Sequence, residues 1–180
     1  IVTGYASLFR VLELVQTASA TTSLRILFGN EPYTSAADEA RLSGCRVDAA
    51  MRRHWLERGL SVAQCAAPVV AKERIDSGTL DIRIAAGKPQ HSKMYVTPYA
   101  VTVGSSNFTR PGLQTQSEAN TRHTSGRHFK EARQLAEGYW NQGEPWNDGF
   151  AALLDALIQP TTWQEALAHA CAMVLGGEWA

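Results

Sequence analysis

A change of hydrophobic period near the middle of the chain limits the folds open to it. Leu80, Ile82 and Ile84 alternate with Asp81 and Arg83, and this period of two is typical of a half-buried strand. Segments nearer the two ends of the chain instead repeat their apolar residues every three or four positions, as amphipathic helices do. Because helices flank strands on both sides in sequence, we expect an α/β fold.

The same reasoning divides the rest of the chain. Helices are predicted over residues 8–19, 35–59, 61–76, 128–140, 147–158 and 162–175. Strands are predicted over residues 24–28, 80–84, 91–96, 100–103 and 118–123. The turn at Thr97-Pro98-Tyr99 joins two of these strands directly, so at least one pair must be antiparallel. The pattern leaves open whether the remaining strands are parallel or mixed.

Composition excludes several other classes of protein. The 180 residues carry 17 basic and 17 acidic side chains and are 44% apolar, unlike a disordered chain. No apolar run reaches the roughly 18–20 residues of a membrane helix, and the first residues lack the layout of a secretory signal. The three cysteines, Cys45, Cys65 and Cys171, form no closely spaced pair. We therefore expect a soluble, cytoplasmic protein with a single domain over residues 1–180.

One stretch combines residues that suit phosphate chemistry. His91 and Lys93 are two positions apart, so on a strand both side chains leave the same face. Two such groups on one face repel each other unless an anion lies between them. Ser105 and Asn107 follow in a turn-forming run and can donate hydrogen bonds to phosphate oxygens. Glu118 can accept from Nδ1 of His91, which would leave Nε2 free to attack.

This set of residues resembles the phospholipase D superfamily. Its motif has the order His-x-Lys, Gly-Ser-x-Asn and a later Glu, and it is matched here by His91-Ser92-Lys93, Gly104-Ser105-Ser106-Asn107 and Glu118. The run from Gly104 to Leu113 is similar to the nuclease branch, as in domains beside helicase motors and in metal-independent restriction nucleases. The resemblance is sharpest over residues 79–123. It implies a phospholipase-D-like mixed β-sheet with helices on both faces.

The resemblance also implies roles for individual residues. His91 would attack phosphorus, Lys93 and Asn107 would hold the nonbridging oxygens with help from Ser105, and Glu118 would orient His91. Ser106 and Arg110 are further candidates for contacts with phosphate or nucleic acid. The chain has one His-x-Lys motif, and relatives of this kind pair two copies, so we expect a homodimer with a composite active site. No metal ion and no cofactor are implied.

The pattern departs from the family at one position. Where the family has Asp in its His-x-Lys-(x)4-Asp motif, this chain has Pro98, and the following gap is one residue shorter. A weakened domain that binds nucleic acid or dimerises a helicase without cutting is therefore an alternative to a DNA nuclease. A lipid phosphodiesterase ranks below both, because the chain shows no interfacial amphipathic segment.

Other features of the sequence have plainer interpretations. The chain begins without Met, so we expect a fragment of a longer, helicase-type protein. These residues contain no phosphate-binding Gly-rich loop, so a helicase motor on the same polypeptide would lie outside them. His123 and His128 are expected at the surface or behind the site. The tryptophans at 140, 146, 163 and 179 are expected in the core or an interface. Arg52, Arg53 and Arg58 are expected on a solvated helix face.

Overall fold

The computed structural model describes residues 1–29, 66–86 and 90–158. Seven strands form one mixed sheet in the order β6-β5-β4-β1-β2-β3-β7. Their bounds are β1 Val2–Thr3, β2 Leu24–Phe28, β3 Leu80–Ala85, β4 Lys93–Val96, β5 Val101–Gly104, β6 Asn120–His123 and β7 Gly143–Pro145. The β1–β2 and β2–β3 pairs are parallel, and the other four pairs are antiparallel. The α/β class and the mixed sheet are therefore confirmed.

Four α-helices lie among the described residues, together with a π-helical turn at Pro111–Thr115. They are α1 Leu8–Thr17, α2 Ala67–Asp76, α3 Gly126–Gln142 and α4 Asn147–Leu157. Helix α1 begins after Ser7, whose Oγ accepts a hydrogen bond from the Arg10 amide at 3.4 Å and so caps the first turn. Its buried residues recur with helical period and lie against the sheet: Leu8, Val11, Leu12 and Val15.

Apolar side chains cover both faces of the sheet. Along β2, Ile26 and Phe28 belong to a cluster with α1, α2 and α4, whereas Leu27 belongs to a second cluster with α3. Trp146 and Phe150 lie in the first cluster, and Trp140 lies in the second. Successive residues of a strand point to opposite faces, so the helices are distributed over both faces, as predicted. Trp140 and Trp146 are core residues, also as predicted.

Several predicted element boundaries were wrong. The strand predicted from His91 begins at Lys93, which pairs with Gly104 at the last position of β5. The chain enters the sheet only at Lys93, so His91 lies outside β4. Glu118 likewise precedes β6, which begins at Asn120.

Strand β7 was also missed, since its Gly-Glu-Pro sequence reads as a break. Its residues form an edge strand, where proline is tolerated, and a Cβ atom on Gly143 would lie 2.6 Å from Leu27 Cδ1, so the Leu27 side chain would have to shift. The predicted helices at 35–59 and 162–175 lie outside the described residues. So do the three cysteines and the remaining residues that the sequence singled out: Trp163, Trp179 and the arginines at 52, 53 and 58.

Candidate active site

The residues singled out by the sequence meet at one edge of the sheet. Strands β1, β2, β3 and β5 run in the same direction and end at this edge, while β4 and β6 begin there. Lys93 opens β4, the run 105–107 leaves β5, and Glu118 lies two residues before β6. Ligands commonly bind at the carboxyl ends of parallel strands. The edge therefore defines a candidate active site, with His91 just before β4.

His91 and Lys93 differ sharply in their surroundings. The side chain of His91 is exposed, whereas Lys93 is only 3% exposed and its Nζ donates to the His91 carbonyl oxygen at 2.6 Å. Burial and the nearby Lys93 charge both lower the pKa of His91. Burial also lowers the pKa of Lys93, while the Glu118 carboxylate acts in the opposite direction. The pair thus places a buried cation beneath an imidazole whose neutral form is favoured.

Glu118 is bound by Ser105. The Ser105 hydroxyl donates to Glu118 Oε2, and the same Oγ accepts from the Ala119 amide at 3.0 Å. Ser105 is thus a partner of Glu118 that the sequence did not indicate, and the orientation of His91 by Glu118 stays a prediction. Because Ser105 and Glu118 share a hydrogen bond, they form one anionic group next to Lys93.

Asn107 is held by the chain that follows β1. Its Oδ1 accepts a hydrogen bond from the Tyr5 amide at 3.1 Å. A backbone N–H is always a donor, so this contact identifies the amide oxygen and leaves Nδ2 as the other side-chain atom. Within the described ranges, Nδ2 is used in no hydrogen bond. The Asn107 side chain can therefore donate to an anion at the edge.

The two remaining predicted contacts are arranged differently. Ser106 is 3% exposed, its Oγ accepts from Asn120 Nδ2 at 2.7 Å, and its carbonyl accepts from the Tyr95 hydroxyl at 2.8 Å. It supports the turn from inside and is not displayed to a ligand. Arg110 is exposed and directly precedes the π-helical turn. Only Arg110 of these two is open to a polyanion.

Sequence reasoning missed residues that shape the site. Tyr95 lies on the same face as Lys93, its hydroxyl holds the 104–107 turn, and its pKa is raised by burial and by Glu118. The signal for it was present, because Tyr95 is two positions after Lys93. Gly112 packs on Asn107, where a Cβ atom would lie 2.6 Å from the Asn107 carbonyl oxygen. Thr3 was also missed, because its hydroxyl contacts the Phe108 amide, 105 positions away in sequence.

Other groups lie at the opposite edge. His123 pairs with Val101 at the start of β5, and its ring centroid is 5.8 Å from that of His128. Pro98 lies in the β4–β5 turn at the same far edge, where its carbonyl accepts from Arg133 at 3.2 Å. Five residues of extended chain from Lys93 correspond to about 16 Å. The Asp that the family carries at the Pro98 position would therefore lie outside this site.

Potential metal ligands are not grouped in the described ranges, where no three His, Cys, Asp or Glu side chains come together. None of the described helices is long and apolar enough to cross a membrane.

The chain was compared with known families, curated proteins and solved structures. No family model matches the chain, and no curated protein matches it. Among solved structures, the chain is similar to a phospholipase D family member, Nuc from Salmonella typhimurium, with 18% identity and a TM-score of 0.46. The match covers 80% of this chain and 78% of Nuc.

Proposed function

We propose that the chain is a metal-independent phosphodiesterase of the phospholipase D superfamily, that DNA is its substrate, and that His91 is its nucleophile. One observation carries the proposal. An exposed imidazole lies next to a buried ammonium group at the sheet edge where the Asn107 amide and the Ser105–Glu118 pair also lie. A nucleophile and a set of donors for an anion are then close together.

The buried Lys93 supports a phosphate as the ligand. A cation removed from water loses solvation, and opposite charge nearby must compensate for it. Glu118 supplies part of that charge, as its effect on the Lys93 pKa indicates. A phosphodiester would supply the rest, with Lys93 and Asn107 Nδ2 donating to its nonbridging oxygens. Such donors stabilise the charge that develops on these oxygens in the transition state.

The lowered pKa of His91 suits a nucleophile. Only a neutral imidazole has a lone pair available for attack, and Lys93 together with burial favours this form at neutral pH. Protonation to imidazolium would place two cations side by side. The ammonium group that would bind the phosphate therefore adds to the effect of burial in favouring the neutral imidazole.

The reaction then has two balanced steps. The lone pair of His91 Nε2 forms a bond to phosphorus while the bond from phosphorus to the leaving oxygen breaks, and a general acid transfers a proton to that oxygen. Water next attacks phosphorus, loses a proton to the conjugate base of that acid, and releases His91. Protonation of the leaving oxygen contributes about 10²–10⁴-fold to such reactions.

We assign the general acid to the His91 of a second copy of the chain. Of the histidines that the structure describes, His123 and His128 lie at the far edge of the sheet, too far to protonate a group bound near Lys93. A twofold axis beside the exposed His91 would bring two such residues to one phosphate. The active species is then a homodimer with a composite site.

DNA is the proposed substrate because the run from Gly104 to Leu113 resembles the nuclease branch of the superfamily. Arg110 in this run is exposed at the site and fits a contact with the nucleic-acid backbone. By the same resemblance, the domain would serve as a module of a helicase or restriction-type protein.

Cleavage in excess EDTA tests the proposal. Plasmid and single-stranded DNA are incubated with wild type, with H91A and with the matched control H123A, which removes a histidine from the far edge. We expect wild type and H123A to cut, and H91A to lose about 10³-fold or more. Cutting by H91A, or a requirement for a divalent metal, would contradict the proposal. DNA binding without cutting by wild type would instead favour a binding or dimerisation domain.

The composite site has its own test. Gel filtration at tens of micromolar should give a dimer, and mixing active wild type with excess H91A should lower activity through mixed dimers. A monomer with full activity would exclude the shared site. The assignment of His91 as the nucleophile would then still be tested by the cleavage assay with H91A.

A further inference from the structure

We propose that Thr3 is a positioning residue, which directs the Asn107 amide toward the phosphate. The inference rests on the proposed function for the identity of the ligand. Thr3 is completely buried at the end of β1. Its hydroxyl donates to the Tyr5 carbonyl at 2.7 Å and accepts from the Phe108 amide at 3.3 Å. One side chain thereby joins the segment after β1 to the segment that carries Asn107.

The hydrogen bonds around this hydroxyl form a network that includes the backbone of Tyr5 and the side chain of Asn107. The Phe108 amide also donates to the Tyr5 carbonyl at 3.1 Å, and the Tyr5 amide donates to Asn107 Oδ1 at 3.1 Å. Thr3 Oγ1 thus bonds to the carbonyl side of Tyr5, while the amide side of Tyr5 holds Asn107. Rotation of the Tyr5 backbone would change both contacts together.

The sheet fixes the position of Thr3 itself. Its carbonyl accepts from the Gly29 amide at 2.6 Å, and its backbone pairs with Phe28 on β2. Gly29 must be glycine, because a Cβ there would lie 2.2 Å from the Gln90 carbonyl oxygen. The rigid centre of the sheet is therefore connected through the Thr3 hydroxyl to the loop that presents Asn107.

This arrangement determines which atom of Asn107 faces a ligand. A donor at Oδ1 prevents the amide from flipping, since a flipped amide would direct its NH2 group at the Tyr5 N–H. Nδ2 is then held toward the edge, where a donor is needed for an anion. Loss of the Thr3 hydroxyl would remove one of the two described hydrogen bonds at the Tyr5 carbonyl, so the Tyr5 amide would hold Asn107 less firmly and its oxygen would more often face the phosphate.

Binding of inorganic phosphate in EDTA, measured by calorimetry, tests the inference. The matched pair is T3S and T3A, which differ only in the hydroxyl, and T102V is a control for loss of a hydroxyl elsewhere in the sheet. We expect T3S and T102V to bind phosphate within about twofold of wild type, and T3A about tenfold more weakly, the size of one hydrogen bond to a charged group. Equal binding by T3A and T3S would overturn the inference, as would undetectable binding by wild type.

A double-mutant cycle separates positioning from a merely structural role. If Thr3 acts through Asn107, the change T3A should weaken phosphate binding tenfold in wild type and less than about twofold in N107A. Additive losses would overturn the inference. The Asn107 side-chain amide resonances provide a second measurement, which should change in T3A and stay unchanged in T3S. If the cycle shows the expected coupling between Thr3 and Asn107 but wild type cleaves no DNA, the inference holds and the proposed function is overturned.

Discussion

Gly112 allows a sharp test of how tightly Asn107 must be held. A Cβ atom at position 112 would lie 2.6 Å from the Asn107 carbonyl oxygen and 3.0 Å from its amide nitrogen. An ordinary contact begins at 3.4 Å, so the backbone of Asn107 must move by about 0.8 Å in G112A. Both obstructing atoms belong to the backbone, and no side-chain rotation can relieve them.

The displacement should affect stability and activity to different degrees. Overpacking typically costs about 1–3 kcal/mol, which a folded domain of this size tolerates. A misplacement near 1 Å at a catalytic group can lower a rate by about 100-fold. We therefore expect G112A to remain folded and to hydrolyse bis(p-nitrophenyl) phosphate in EDTA with kcat/KM reduced by about 30–100-fold, estimated from the same displacement.

Gly138 provides the matched control. It lies in α3, and a Cβ atom there would meet nothing within 4 Å. G138A should keep full activity and gain about 0.5–1 kcal/mol of stability, because alanine favours the helix. Activity of G112A within twofold of wild type, at unchanged folding, would refute the reasoning that the position of Asn107 is critical.

Three further predictions follow from the structure. For a p-nitrophenyl diester, whose leaving group departs without a proton from the second His91, the lowered pKa of His91 predicts that kcat/KM rises with pH through a value below the ordinary 6.5 and then levels off; a midpoint above 6.5 would contradict this. Replacing the buried Arg74 with Met removes the donors to the carbonyls of residues 18, 19 and 22. Urea unfolding of R74M should show a free energy of unfolding lowered by about 2–4 kcal/mol, while its phosphate affinity stays within about twofold of wild type. A decrease under about 1 kcal/mol would contradict this prediction. P98D, which restores the family's Asp at the far edge, should change kcat by less than about twofold, and a tenfold gain would show that this position acts on the site.

Local patterns were sufficient for much of the fold. The alternation over residues 80–84 predicted β3, whose burial alternates in the same way, and helical spacing predicted α1 to within two residues at its end. Strand β7 could not be found in this way, because its Gly-Glu-Pro sequence has no strand propensity. It forms because β3 offers a free edge and Gly143 can approach it closely.

The sequence singled out residues that the fold brings to one sheet edge, but it did not indicate how they are arranged there. The spacing of His91 and Lys93 indicated a common strand face. The strand begins only at Lys93, however, so the His91 side chain is exposed and the Lys93 side chain is buried. The partner of Asn107 was beyond reach, because Tyr5 lies 102 positions away in sequence. Only tertiary structure brings such segments together, and no local period records the contact.

Direct detection of a covalent intermediate on His91 tests the central claim. The substrate is a nucleotide diester with a p-nitrophenolate leaving group, which departs without protonation and so requires no second histidine for the first step. After rapid alkaline quenching, mass spectrometry of wild type should locate the nucleotidyl group on His91, whereas H91A should carry none. Release of p-nitrophenolate at the wild-type rate by H91A, or turnover by wild type with no adduct at His91, would contradict the account.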